Sequence, residues 1–445
     1  MDLTALIPSF GNLAFTLIAF IIALTIIVAI HEYGHYIIGR LSGIKADVFS
    51  IGIGPVLAKK TDKHGTQWQI AAFPVGGYVK FRGDANAASA GLDEGAMAGL
   101  SDEERRHTMH GAPLWARAAT VAAGPIFNFV LSALIFFAMA FHTGIATDPL
   151  TVEEVAPVSG LEALEPGDQI LSIAGEETPS LDEFDGFVSR LPNESPVEYV
   201  VLRGGQEVTV EALHPFPPYV SSVTPQSAAS DAGIREGDLI LTVDGAPVST
   251  FGDLRAIVGE GDGAALTLGI ERDGEAISVD LTPRRVDLPL PEGGFETRWL
   301  IGIGGGLVFE PETRAPSFGE AVSTGVGQVG YIISSSLSGL WHMITGAISS
   351  CNLRGPIGIA ETSGAAASQG LDSFIWFIAV LSTAVGLLNL FPIPVLDGGH
   401  LVFHAYEAVA GKPPSDRAMR VLLAVGLALI LSIMVLGVTN DLFCP

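Results

Sequence analysis

His31-Glu32-Tyr33-Gly34-His35 is the segment whose residue types and spacing could do chemistry. Histidines at i and i+4 project from one face of a helix, where both imidazoles can hold one zinc ion. Glu32, beside the first histidine, is then placed to act on water at that ion as a general base. A catalytic zinc takes three protein ligands and keeps one position open, so a third ligand must come from another segment. Asp397 is the only acidic residue between Asp372 and Glu407, and it follows an apolar run broken by Pro392 and Pro394. A lone carboxylate in such surroundings requires a cation. His400 and His404 are rival ligands on spacing alone, but they lie past Gly398-Gly399, where the chain reads as a loop.

The elements that must position these residues are membrane helices. The chain has 445 residues, of which 48% are hydrophobic and only 16% charged, a balance that excludes an ordinary soluble enzyme. Four apolar stretches, at about 12–30, 118–141, 374–395 and 421–438, each approach the ~20 residues a helix needs to cross a bilayer. The first has no Lys or Arg before it and runs straight into the His31–His35 motif, so it is expected to be a retained span and not a cleaved leader. Ionisable residues at the end of such a span are costly unless paired or liganded, which argues against a chance motif on a surface helix.

Charge gives the orientation. All six lysines (Lys45, Lys59, Lys60, Lys63, Lys80 and Lys412) fall between spans one and two or between spans three and four. The positive-inside rule therefore puts those two loops in the cytoplasm. Both termini and the long segment between spans two and three then face the other side, the periplasm in a bacterial cell. Residues 143–372 hold 10 Arg, no Lys and 34 Asp plus Glu, a net charge of −24, which excludes nucleic acid as a partner. Cys351 and Cys444 would both lie on the outer side and read as two isolated thiols, with a disulfide as the alternative.

These signals divide the chain into five parts. Residues 1–142 form the first part of a membrane core. It has a span at about 12–37, a β-hairpin region at 46–82, a loop at 83–112 without evident chemistry, and a span at about 115–141. Residues 143–215 and 216–286 are a repeat. Gly167-Asp168 and Gly237-Asp238, 70 residues apart, each lead from a turn into an apolar strand that ends in Ala174-Gly175 or Asp244-Gly245. Residues 287–372 are an amphipathic or linker region, with a surface helix expected over 318–348. Residues 373–445 complete the core with spans at about 373–395 and 419–438.

In combination, these features resemble the site-2 protease family of intramembrane zinc metalloproteases, in particular its bacterial branch that carries two PDZ domains and releases sigma factor E. The resemblance rests on His31–His35, on Gly124-Pro125-Ile126-Phe127-Asn128, on the glycine-rich stretch ending Gly76-Gly77-Tyr78-Val79-Lys80, and on Asn389 through Gly398. Arg354-Gly355-Pro356 and the repeat, whose second copy resembles a bacterial PDZ domain, extend it over nearly the whole chain. The resemblance implies a polytopic α-helical membrane protein with four transmembrane helices, a membrane-associated β-hairpin and two periplasmic β-rich PDZ domains. It implies Zn2+ held by His31, His35 and Asp397, with Glu32 as the base. Asn389 would contact the substrate backbone, Pro392 and Pro394 would break the third span, and Asn128 would position the substrate or that span. Gly76, Gly77 and Tyr78 lie on a strand whose edge unwound substrate could join.

The implied partners are the lipid bilayer and single-span membrane proteins, chiefly a pre-trimmed anti-sigma factor, with remnant signal peptides as a second class and peptide ligands for the PDZ grooves. A non-catalytic PDZ membrane scaffold is the rival reading. It predicts erosion of the His-Glu-His-Asp set, and all four residues are present.

Overall fold

The computed structural model describes residues 6–84, 94–97, 100–159, 161, 163–180, 183–224, 227–290 and 294–444. Within the expected 83–112 loop, residues 85–93 and 98–99 lie outside the described residues. The chain divides into two compact units, one comprising Met1–Met139, Ala321–Ser338 and Ser350–Cys444, the other Ala140–Glu320 and Gly339–Ser349.

The first unit opens with α1 (Leu6–Leu41), an almost unbroken apolar run. It stops at Gly43, whose φ of 86° lets the Ile44 amide turn back to the Gly39 carbonyl. β1 (Ala46–Thr61) and β2 (Gln67–Phe81) follow as a long bent hairpin. Its register pairs Lys59 with Gln69 at the turn end and Phe49 with Val79 near α1, while Phe49 also meets Trp68 between them. The sheet is fastened to α1 by a buried cluster of Tyr36, Ile44, Phe49, Val79 and Phe81. Two short helices, α2 (Glu94–Met97) and α3 (Asp102–Arg105), precede α4 (Leu114–Thr143), which contains Pro125.

In the second unit, β3 (Ile145–Ala146) and β4 (Val152–Val155) lead to β5 (Gln169–Ile173), β6 (Glu176–Glu177), α5 (Phe184–Val188), β7 (Val197–Arg203) and β8 (Gln206–Ala212). The pattern then recurs with β9 (Ser222–Val223), α6 (Ala228–Asp231), β10 (Leu239–Val243), β11 (Ala246–Pro247), α7 (Phe251–Glu260), β12 (Leu266–Arg272) and β13 (Glu275–Leu281). The sheet orders are β6-β5-β7-β8 and β11-β10-β12-β13, so the sequence repeat is a structural one. Each Gly-Asp pair has the same use. Gly167 and Gly237 take φ of 93° and 92°, a region glycine enters freely. The buried Asp168 and Asp238 are then held by Arg203 and Arg272 from the neighbouring strand at 2.7 and 2.6 Å.

The region after 286 holds more than the expected linker. β14 (Arg284–Pro289) pairs with β15 (Phe295–Leu300). β16 (Ile303–Gly304), β17 (Phe309–Pro311) and β18 (Thr313–Arg314) then pair back onto β9, β4 and β3 in turn. Val308 and Phe309 are buried in the core of the first repeat, and Ile301 in that of the second. α8 (Phe318–Ile344) follows, opened by a capping box of Ser317 and Glu320.

The first unit is completed by α9 (Pro356–Ser368), α10 (Leu371–Leu390), α11 (Asp397–Ala410) and α12 (Asp416–Phe443). Among the described residues, four helices are long and apolar enough to cross a membrane: Leu13–Leu41, Leu114–Thr143, Leu371–Leu390 and Arg417–Phe443. Their outer faces carry exposed Leu, Ile and Val, such as Ile18, Leu134, Val425 and Val435, which suits a lipid environment. Lipid gives no hydrophobic drive between helices, so they join through small residues and polar bonds. A Cβ at Gly34 would meet the Ala123 carbonyl and Phe127, and one at Gly386 would meet Pro125 and Asn128. The Ser132 hydroxyl donates to the Ala379 carbonyl at 2.7 Å.

The isolated-thiol expectation is corrected: Cys351 and Cys444 form a disulfide. The end of α12 is bound to the segment before α9 by other contacts as well. Asn440 donates to the Ser350 and Leu353 carbonyls at 2.7 and 3.0 Å, and Asp441 accepts from the Gly355 and Ile357 amides at 2.8 and 3.0 Å. Those bonds set the two Cα atoms 5.7 Å apart, within disulfide reach.

Candidate active site

Helical spacing does on α1 what the sequence suggested. His31 Nε2 and His35 Nε2 lie 3.2 Å apart, and Asp397 Oδ2 is 3.2 Å from the first and 3.4 Å from the second. Three ligands about 2.0–2.1 Å from one tetrahedral ion would be about 3.3 Å from each other. The triangle therefore has the size of a zinc site, and two imidazoles with one carboxylate are a zinc donor set. Asp397 Oδ2 is buried and satisfied by no hydrogen bond, a condition that an ion at the centre of the three atoms removes. Burial opposes the charge of Asp397, and the His35 and His31 imidazoles outweigh it and hold the carboxyl below its ordinary range.

The surrounding chain makes room for these atoms. A Cβ at Gly124 of α4 would sit on His35 Nε2 and Cε1 and 2.8 Å from His31 Cε1, so the bare backbone leaves the space in which the donors converge. α4 also holds the rings from behind. The Thr120 carbonyl accepts from His35 Nδ1 at 2.8 Å, and the Asn128 carboxamide meets His31 Nδ1 at 3.2 Å. Asp397 arrives by a broken path. α10 stops at Leu390, because Pro392 and Pro394 lack the N–H a helix needs, and α11 begins at Asp397. The glycines behind Asp397 are required by contact. A Cβ on Gly398 would strike the Leu390 and Phe391 carbonyls, and one on Gly399 the Ile393 carbonyl.

Glu32 lies between these donor atoms and β2, near the backbone of Val79. Gly77 passes so near that a Cβ there would be 2.9 Å from Val28 Cγ1 and 3.1 Å from Glu32 Cγ. One side of this strand segment pairs with β1, as Gly77 does with Ile51.

His31, Glu32, His35 and Asp397 open onto a cavity of about 790 Å3, which Gly77, Tyr78 and Asn389 also line. Asn389 donates to the Val385 carbonyl at 3.1 Å. Gly76, Asn128, Pro392 and Pro394 do not line it. Its wall also includes His110, Arg117, His400, His404, Glu407 and Arg420, of which only His400 and His404 had been singled out from the sequence, as rival ligands. His400 and His404 sit on α11 and not in a loop, which corrects the sequence expectation. The reason is that Gly398-Gly399 serves close packing and does not end the helix. Spacings of three, four and three put Asp397, His400, His404 and Glu407 on one helical face, and that was the available signal. Arg117 forks onto Glu407 at 2.6 and 3.0 Å. Burial lowers the pKa of His400, and burial together with Arg117 lowers that of His404 to about 4, so both rings are neutral near pH 7. His110 belongs to the loop in which no chemistry was read.

Comparison with known proteins accords with this geometry. The family model described as Peptidase family M50 matches residues 19–433. The chain is 36% identical over 435 residues to a zinc metalloprotease, so named, of Agrobacterium fabrum, covering 97% of each chain. It is 37% identical over 434 residues to one of Rhizobium meliloti, again covering 97% of each. It is 32% identical over 461 residues to the regulator of sigma-E protease RseP of Salmonella typhimurium, covering 97% of this chain and 99% of that one.

Proposed function

The chain belongs to peptidase family M50 and is a zinc metalloprotease of the site-2 type; from that premise we propose that it hydrolyses peptide bonds within the membrane-spanning segments of single-span proteins. The observation that carries this reading is the meeting of His31 Nε2, His35 Nε2 and Asp397 Oδ2 within 3.2–3.4 Å, beside Glu32, at one end of an apolar helix.

When bound, zinc would lower the pKa of water toward ~7 and polarise the scissile carbonyl. Glu32 accepts the proton of the attacking water and returns it to the departing amide nitrogen. A peptide in a helix hides its carbonyls in its own hydrogen bonds, so it must unwind before attack. The Gly76-Gly77-Tyr78 edge of β2 is where we place the unwound stretch, added as a strand beside Glu32. Asn389, on the last turn of α10 and lining the cavity, is placed to bind the substrate backbone. His110, His400, His404, Arg117 and Glu407 give that cavity the polar wall a water supply requires.

We read the protein as an inner-membrane enzyme of a bacterium, with its lysine-bearing loops cytoplasmic and its β-rich unit periplasmic. A disulfide at Cys351–Cys444 fits that side, since such bonds persist in oxidising compartments. The two repeats are read as PDZ domains, which would bind peptides or exclude substrates with large outer domains. By its likeness to the regulator of sigma-E protease, we propose a trimmed anti-sigma factor as the substrate class, with remnant signal peptides second.

The test is cleavage of a defined single-span protein by purified enzyme, with fragment masses determined. Glu32→Gln is expected to keep its zinc and lose roughly 100–10,000-fold in rate. Wild-type turnover by that variant would overturn the assignment. A variant lacking residues 150–285 that still rejects untrimmed substrate would remove the size-exclusion reading.

A further inference from the structure

The imidazole of His31 has two nitrogens, and only one faces the cluster. Nε2 points to His35 and Asp397, and Nδ1 points to Asn128 on α4. Asn128 is fully buried and lines no part of the cavity, so it stands behind the metal centre and away from any substrate. Its backbone carbonyl accepts from the hydroxyl of Ser382 on α10 at 3.0 Å. The same turn of α4 is thereby tied to α1 through a side chain and to α10 through the backbone. α10 leads into the turn that delivers Asp397.

An imidazole that gives Nε2 to a metal carries its hydrogen on Nδ1, and that hydrogen needs an acceptor. His35 has one in the Thr120 carbonyl at 2.8 Å. For His31 the nearby group is the Asn128 carboxamide, whose nitrogen is set 3.2 Å from Nδ1 and whose oxygen is buried without a hydrogen-bond partner. The oxygen and nitrogen of an amide are interchangeable by a half-turn, and their assignment follows the hydrogen-bond network. Turning the amide presents the acceptor to Nδ1–H and gives that oxygen its partner, with the NH2 group taking the buried position it leaves.

We infer that Asn128 is a positioning residue of the metal centre: its carboxamide oxygen holds the His31 ring with Nε2 toward the ion, and its carbonyl holds α10 in register with α1. This rests on the reading of His31, His35 and Asp397 as the zinc site. Of the two roles that resemblance implied for Asn128, positioning the substrate or the third span, it sets aside the first and keeps the second.

The experiment measures zinc affinity by chelator competition, and the absorption spectrum of the cobalt-substituted protein, on full-length enzyme in detergent. Asn128→Leu removes the acceptor and is expected to weaken zinc by roughly 10–100-fold and to shift the cobalt bands. Asn128→Asp keeps an oxygen facing Nδ1 and is expected to hold zinc within about threefold of wild type or more tightly, since carboxylate–histidine–zinc arrays are common. Wild-type affinity and spectrum in the leucine variant would overturn the proposal. So would an equal loss in both variants. Should the leucine variant fail to fold, the aspartate variant decides alone, because a large loss of affinity there contradicts an acceptor role. Wild-type protein that binds no zinc would instead remove the premise, and with it the proposal.

Discussion

Gly124→Ala is the substitution whose consequence follows most directly from the coordinates. The added methyl would be 2.5 Å from His35 Cε1 and 2.8 Å from His31 Cε1, and closer still to His35 Nε2. Non-bonded carbon atoms rest at about 3.5–4.0 Å, so the imidazoles must retreat by about 1 Å. Metal sites hold their ligand distances to about 0.2 Å, and a displacement five times larger removes at least one histidine from the ion. That loss should exceed the roughly 10–100-fold that follows removal of a ligand's supporting partner. The same methyl overpacks α1 against α4, at a cost of about 1–3 kcal/mol. Gly330→Ala, at a helical position where a Cβ meets nothing within 4 Å, serves as the control and should be neutral or stabilising by up to ~1 kcal/mol. The assay is zinc per mole of purified protein by elemental analysis, with fragment formation from a single-span substrate and helical content by circular dichroism. The expected result is a folded protein with little zinc and no cleavage. One tightly bound zinc and a rate within about threefold of wild type would refute the reasoning.

Glu407→Gln leaves the Arg117 charge on the cavity wall without its partner. It should cost about 1.5–3 kcal/mol, read as a lowered melting temperature, and the double change Arg117→Gln with Glu407→Gln should cost less than the single one. Because the His404 pKa falls from its ordinary 6.5 to about 4 in the fold, the neutral ring contributes stability above about pH 6.5 that is lost as pH falls toward 4. Melting temperature should decline over that window, and less steeply in His404→Gln; identical slopes would contradict the assignment. Reduction of Cys351–Cys444, or Cys351→Ser, should lower stability by about 2–4 kcal/mol, because the bond closes a loop across a sequence separation of 93. Unchanged melting under reductant would show that Asn440 and Asp441 hold the end of α12 unaided.

The active site was legible in proportion to how local its determinants are. His31 and His35 were readable as a pair because one helical turn brings them together whatever surrounds the helix. Asp397 was readable because a carboxylate alone in an apolar stretch has few stable roles. His400, His404 and Glu407 carried the right spacing but were hidden by Gly398-Gly399, which resembles a helix break. Only packing against the Leu390 and Ile393 carbonyls discloses the glycines' purpose. Asn128 was noticed through resemblance, yet which nitrogen it meets depends on how α4 lies against α1.

Sequence alone determined the membrane class, the four apolar helices, the repeat, the two histidines on one helical face with a glutamate beside the first, and the lone carboxylate that meets them. Hydropathy and helical period are properties of short stretches, and they survive without knowledge of the rest of the chain. Tertiary structure decided what is far apart in sequence. It brought Asp397 to within 3.2 Å of His31, paired Cys351 with Cys444, returned residues 303–314 to the β-rich unit, and left at Gly124 the gap in which the ligands meet. Each depends on distances of a few tenths of an ångström between segments up to several hundred residues apart, which no local pattern encodes.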